Sequence, residues 1–143
     1  MPLFEQVLDK YPDSVKIVFK HYPLSFHKQA LPAALAAMAA GEQGKFWEYH
    51  DELFLNQNSL SNEKYLEIAQ AMGLDLQKFS LDMMRPSLRQ KVEGDIADAK
   101  KAGVTGTPAI FVNGRKLKKR NFDNISRLID DELSDGHKLE IKK

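Results

Sequence analysis

The sequence contains no cysteine, and this absence excludes more chemistry than any other feature of its composition. Without thiols there is no structural disulfide, no thiolate nucleophile and no cysteine-ligated metal. The redox compartment stays open, because a chain without thiols suits either environment. An excess of charge of one sign is also lacking: 21 Lys and Arg stand against 20 Asp and Glu, a net charge of +1. No global field recruits nucleic acid or an anionic membrane surface, and neither is expected as a partner. Long apolar runs are missing as well. A bilayer span needs about 20 apolar residues; the longest candidate, Ala30 to Ala40, is short, alanine-rich and interrupted by Pro32. Met1 to Gln6 lack the basic start and apolar stretch of a secretory signal, so no export address is read here.

What is present suits a globular domain. A content of 43% hydrophobic and 29% charged residues over 143 positions is enough to bury a core in one domain. Residues 1–136 read as that domain and 137–143 as a frayed tail. No repeat or linker interrupts them. Pro2 to Tyr11 places Leu3, Val7 and Leu8 on one helical face, ended by Pro12; no N-cap stands ahead of it. Val15 to Phe19 is rich in β-branched residues and predicts a strand covered on both faces.

A helical block follows. Gln29 to Ala40 is a small-residue helix that tolerates Pro32 only in its first turn. Phe46, Tyr49, His50, Leu53 and Phe54 recur at helical spacing. Ser61 and Asp75 read as N-caps, with Leu60–Tyr65 and Leu74–Phe79 as hydrophobic staples. Pro86 opens a helix carrying Leu88, Val92, Ile96 and Ala99, closed by Gly103. The pattern then switches. Ala109 to Val112, Asn113-Gly114 and Arg115 to Lys118 give a hairpin, since both positions of such a turn need positive φ. A last helix places Phe122, Ile125, Leu128 and Ile129 on one face.

This order, together with Gly103-Val-Thr-Gly-Thr-Pro-Ala-Ile-Phe-Val-Asn-Gly114, resembles the DsbA-like branch of the thioredoxin superfamily. Phe19-Lys-His-Tyr-Pro-Leu-Ser-Phe-His27, Gly44-Lys-Phe-Trp-Glu-Tyr-His-Asp51 and Gly73-Leu-Asp75 carry the same likeness. The resemblance runs from Pro2 to about Leu133. It implies an α/β, thioredoxin-like fold with a large helical insertion, lacking the first strand, and a mixed sheet of about three strands including the C-terminal hairpin. It implies that Thr107 and Pro108 form a cis-proline pair facing extended or unfolded polypeptide substrates, a form of strand addition. It further implies a periplasmic or extracytoplasmic setting for a full-length member. The departure is the Cys-x-x-Cys motif, which in the family opens the first helix. Pro2 to Gln6 looks like the middle of that helix, so the motif and first strand are expected upstream of Met1.

Other residues are read against plainer roles. Thr107-Pro108 taken alone is also a tight turn feeding the hairpin. His21, His27, His50 and His137 match no compact zinc spacing, so neither a metal nor any other cofactor is expected. His50 reads as a hydrogen-bonded core histidine, and Phe46 and Trp47 as core or rim packing. Arg115, Lys116, Lys118, Lys119 and Arg120 form a basic run, read as protection of a sheet edge rather than as a nucleic-acid contact. Asp51, Glu52 and Asp130-Asp131-Glu132 read as solvated helix faces.

Three functions compete. The leading one is a thiol–disulfide oxidoreductase family member, redox-inactive as this cysteine-free chain. The others are a non-enzymatic peptide-binding or holdase module and a shortened scaffold. In the thioredoxin topology the first strand lies between Val15–Phe19 and Ala109–Val112. Its absence leaves two remedies: the first of these strands slides over to pair with the second, or two chains complete each other as a symmetric homodimer. The dimer is the favoured expectation.

Overall fold

A computed structural model describes residues 2–141, with side chains described as far as residue 135. Among the described residues the elements run α1 (Pro2–Lys10), α2 (Ala30–Gly41), α3 (Phe46–Leu55), α4 (Asn62–Ala71), α5 (Leu76–Met83), α6 (Pro86–Lys101), β1 (Phe111–Val112), β2 (Arg115–Lys116) and α7 (Phe122–Ile141). The chain divides into two compact units, Phe19–Gly103 and Met1–Val18 with Val104–Lys143.

The unit Phe19–Gly103 is helical and is organised around α2. Ala36, Ala39 and Ala40 on this helix have no exposed surface. A helix apolar all round is buried on every side, and methyl side chains let its neighbours approach closely. Against it pack Tyr49 and Leu53 from α3, Tyr65, Ile68 and Ala69 from α4, and Phe79 from α5. A second cluster joins Ala34 and Met38 of α2 to Leu88 and Val92 of α6. Local signals set the helix ends. The Ser61 hydroxyl accepts the Lys64 N–H at 3.1 Å, and the Asp75 carboxylate accepts the Lys78 N–H at 2.9 Å. Each satisfies a donor that has no partner in the first turn. The staple residues Leu60 and Leu74 lie against the same core as Tyr65 and Phe79. Gly73 carries the chain out of α4 at a φ of 71°, a region in which a Cβ is disfavoured.

The other unit joins α1, the β1–β2 hairpin and α7 around Val7, Tyr11, Leu117, Ile125 and Ile129. The Tyr11 hydroxyl lies 2.6 Å from Asp130 Oδ1 and 3.3 Å from the Ser126 carbonyl, which ties the end of α1 to α7.

Two expectations change here. The strand expected at Val15 to Phe19 is not formed: the segment runs without helix, turn or ladder, and no backbone hydrogen bond joins residues 15–20 to the described residues. The paired strands among the described residues are therefore the two of the hairpin, not about three. The reason is physical. A β-branched run favours a pleated surface, but its propensity is realised only against a neighbouring strand. Val15 still packs into the cluster beside Val7 and Tyr11, whereas Val18 is 66% exposed. The strand that would slide over to close the sheet within one chain is accordingly not made. At the other end, α7 continues through Ile141, where a frayed tail from His137 was expected. The side chains of that stretch and residues 142–143 lie outside the described residues.

Candidate functional site

The candidate site opens the hairpin. Gly106, Thr107 and Pro108 are exposed, and the Thr107–Pro108 peptide bond is cis. The Pro108 carbonyl accepts a hydrogen bond from Arg120 Nη1 at 3.3 Å. The main-chain N–H and C=O of Thr107 make no hydrogen bond to a described residue. Beyond Pro108 the chain enters β1, whose register is Phe111 opposite Lys116 and Val112 opposite Arg115. The Leu117 N–H donates to the Ile110 carbonyl at 2.8 Å, continuing the antiparallel pairing one step past the two strands.

The hairpin is held by its sequence. Asn113 and Gly114 sit at φ values of 46° and 81°, the paired positive angles of a turn whose twist matches the flanking strands. Side chains alternate along a strand. Ile110 and Val112 thus pack together into the core that contains the buried Leu117. The turn is stitched to α7: Asn113 Nδ2 donates to Glu132 Oε2 at 3.2 Å, and Arg115 Nη1 to Glu132 Oε1 at 3.2 Å. Asn121 caps α7 by accepting the Asn124 N–H at 3.0 Å. A rigid, well-anchored hairpin therefore presents an exposed loop with unused main-chain groups.

The residues singled out from sequence fall as follows. Thr107 and Pro108 lie together at the open start of the hairpin. The basic run separates: Arg115 pairs with Glu132 and Asp131, Arg120 serves the Pro108 carbonyl, and Lys116, Lys118 and Lys119 are exposed. His21 and His50 are both buried, at 7% and 4% exposure. The His21 N–H donates to Asp95 Oδ2 at 2.9 Å. Burial pushes the His21 imidazole below its ordinary range, with Asp95 opposing that shift. His50 Nδ1 lies 3.1 Å from Asp51 Oδ1. Asp51 is more than the solvated residue its position in the sequence suggests, because it holds a buried ring. The signal for this lay in its place on α3, between the apolar Trp47 and Phe54. No group of three or more metal-ligating side chains converges among the described residues.

Chemically, the Thr107–Pro108 loop offers main-chain donors and acceptors and one hydroxyl. It holds no titratable group. The arrangement suits contact with a polypeptide backbone; bond exchange at sulfur needs a thiolate from elsewhere.

Known proteins agree with this architecture. The sequence model of a family described as Thioredoxin matches residues 2–131. A thioredoxin-like oxidoreductase from Silicibacter pomeroyi is 24% identical, with a TM-score of 0.76 over 94% of this chain and 77% of its own. The oxidoreductase DsbA from Xylella fastidiosa is 20% identical, with a TM-score of 0.71 over 95% of this chain and 78% of its own. Likeness at this identity establishes the fold. A Na(+)/H(+) antiporter NhaA of Herminiimonas arsenicoxydans is 36% identical over 108 residues, which is 76% of this chain and 17% of the antiporter. The chain spans under a fifth of the length of the curated relatives it matches. On the family match across residues 2–131 and the fold shared with both oxidoreductases, the chain belongs to the thioredoxin family.

Proposed function

We propose that this chain is the body of a DsbA-like thiol–disulfide exchange module, inactive in that reaction without a dithiol supplied from outside it. The observation that carries the reading is the pairing of a thioredoxin-family match over residues 2–131 with a complete absence of cysteine. In support, the fold covers only 77% and 78% of the two solved oxidoreductase chains, so roughly a quarter of each lies beyond it. The role left to this chain is contact with extended polypeptide along the exposed main chain of Thr107, held beside Pro108, a mode in which backbone hydrogen bonds provide affinity. Titration of the 15N-labelled chain with a reduced, carboxymethylated unfolded protein tests the contact. The amides of Gly106, Thr107 and Ala109 to Phe111 are expected to shift together; shifts confined to other residues, or none, would contradict it.

A second reading concerns what surrounds the module. Identities of 33–39% to NhaA antiporters over 17–19% of their length support a place for this module within a longer polypeptide. No helix of the described residues is long and apolar enough to cross a membrane. The mass of the endogenous polypeptide that yields these peptides is the test: well above 16.3 kDa is expected, and 16.3 kDa would refute the reading.

A further inference from the structure

Phe19–Gly103 carries an exposed aromatic group that the fold does not use as core. Phe19, Trp47 and Phe54 are 39%, 45% and 57% exposed, although large apolar side chains grouped at a surface usually mark a contact site. They are grouped by one residue. The buried His50 ring has its centroid 5.0 Å from Phe19, 5.7 Å from Trp47 and 4.8 Å from Phe54. His50 also fixes a charge among them, since its Nδ1 lies 3.1 Å from Asp51 Oδ1. The Asp51 carboxylate then requires the proton on Nδ1, which donates to it. The second Asp51 oxygen takes no hydrogen bond from a described residue, and its side chain is 60% exposed.

Trp47, Asp51 and Phe54 stand at positions i, i+4 and i+7 of α3, so they share one face. That helix bears Glu48, Asp51 and Glu52 and no Lys or Arg. Lys45, just ahead of α3, is engaged with Glu48 at 3.3 Å, and Lys20, which follows Phe19, with Asp98 at 3.0 Å. The surface therefore combines ring faces, which attract cations through their quadrupole, with an unneutralised carboxylate held in place by a buried imidazole. Its complement is a side chain that is cationic, planar and partly apolar. Guanidinium has this form: it stacks on rings and pairs with a carboxylate through two parallel donors, which a lysine ammonium does not.

We propose that the Trp47–Asp51–Phe54 face of α3, with Phe19, is a binding site for an arginine side chain of a partner polypeptide. It is independent of the contact assigned to Thr107 and Pro108. The guanidinium lies against the rings and pairs with Asp51, while its methylene stem covers apolar surface.

The chain reports on this site directly, because Trp47 is its single tryptophan. Its fluorescence is titrated with acetyl-Gly-Arg-Gly-amide and with the citrulline analogue, which keeps the shape and loses the charge. A saturable change is expected with arginine, at roughly fivefold or greater preference over citrulline, falling as salt is raised. Asp51→Asn keeps an acceptor for His50 Nδ1 while removing the charge, and is expected to abolish the preference with an unchanged circular dichroism spectrum. Phe54→Leu, which keeps the site apolar but removes a ring, is expected to weaken arginine binding. Equal binding of the two peptides, absence of a saturable response, or undiminished preference in both variants would overturn the proposal.

Discussion

Gln43 pairs with both main-chain polar groups of Asp75: its Nε2 donates to the Asp75 carbonyl at 3.0 Å and its Oε1 accepts the Asp75 N–H at 2.9 Å. The side-chain amide thus acts as a stand-in peptide group for the turn between α4 and α5, where Asp75 is also the cap of α5. Gln43→Glu retains the acceptor and loses the donor; Gln43→Ala loses both. For exposed neutral hydrogen bonds worth about 1 kcal/mol each, the alanine variant is expected to lose about 2 kcal/mol in urea unfolding and the glutamate variant about half of that. Equal stability of all three proteins would show that the pairing contributes nothing.

Asp82 provides the clearest dependence on pH. It is 3% exposed, receives Lys78 Nζ at 2.5 Å and also pairs with Arg85, which reaches Glu42 at 3.1 Å. The Lys78 hydrogen bond, followed by the charges of Arg85 and Lys78, holds its carboxyl below the ordinary value of 3.8 against the opposing effect of burial. A carboxyl depressed in the folded state contributes stability that is complete above its unfolded value and lost as pH falls through the folded one. Stability attributable to Asp82 is therefore expected to fade below about pH 4. Asp82→Asn should flatten that part of the acid-unfolding profile and cost about 2 kcal/mol at neutral pH. An acid limb unchanged in the variant would assign the loss to other carboxylates.

The helical half was legible because its signals are local. Ser61 and Asp75 announce their helices by chemistry within three residues, and Asn113-Gly114 announces its turn in two. Val15 to Phe19 misled for the converse reason: a strand is made by its neighbour, and sequence alone does not supply one. The cis bond at Thr107–Pro108 was readable only through likeness to a family, since an ordinary tight turn uses the same residues. His50 was legible as a buried, hydrogen-bonded histidine, but its partner Asp51 was not, because adjacent positions on a helix do not ordinarily face each other.

The unpaired segment bears on association. Residues 15–20 form no backbone hydrogen bond with described residues, and Val18 and Phe19 are exposed, a combination that invites pairing with another strand. With a net charge of only +1, repulsion between copies is weak. We propose a symmetric homodimer through this segment. Sedimentation should give a mass rising from 16.3 kDa toward twice that value with concentration, and Val18→Lys should abolish the rise. A mass constant at 16.3 kDa across the accessible concentrations would exclude it.

Fold and sulfur chemistry are separate in this molecule: the body belongs to the thioredoxin family, and it holds no thiol nucleophile. Reduction of insulin by dithiothreitol, followed by turbidity with and without the purified chain, tests that separation directly. A thiolate must attack the disulfide for catalysis to occur, and this chain holds none. The predicted result is a rate equal to that of dithiothreitol alone at every protein concentration. A rate that rises in proportion to a protein of verified 16.3 kDa mass would contradict it.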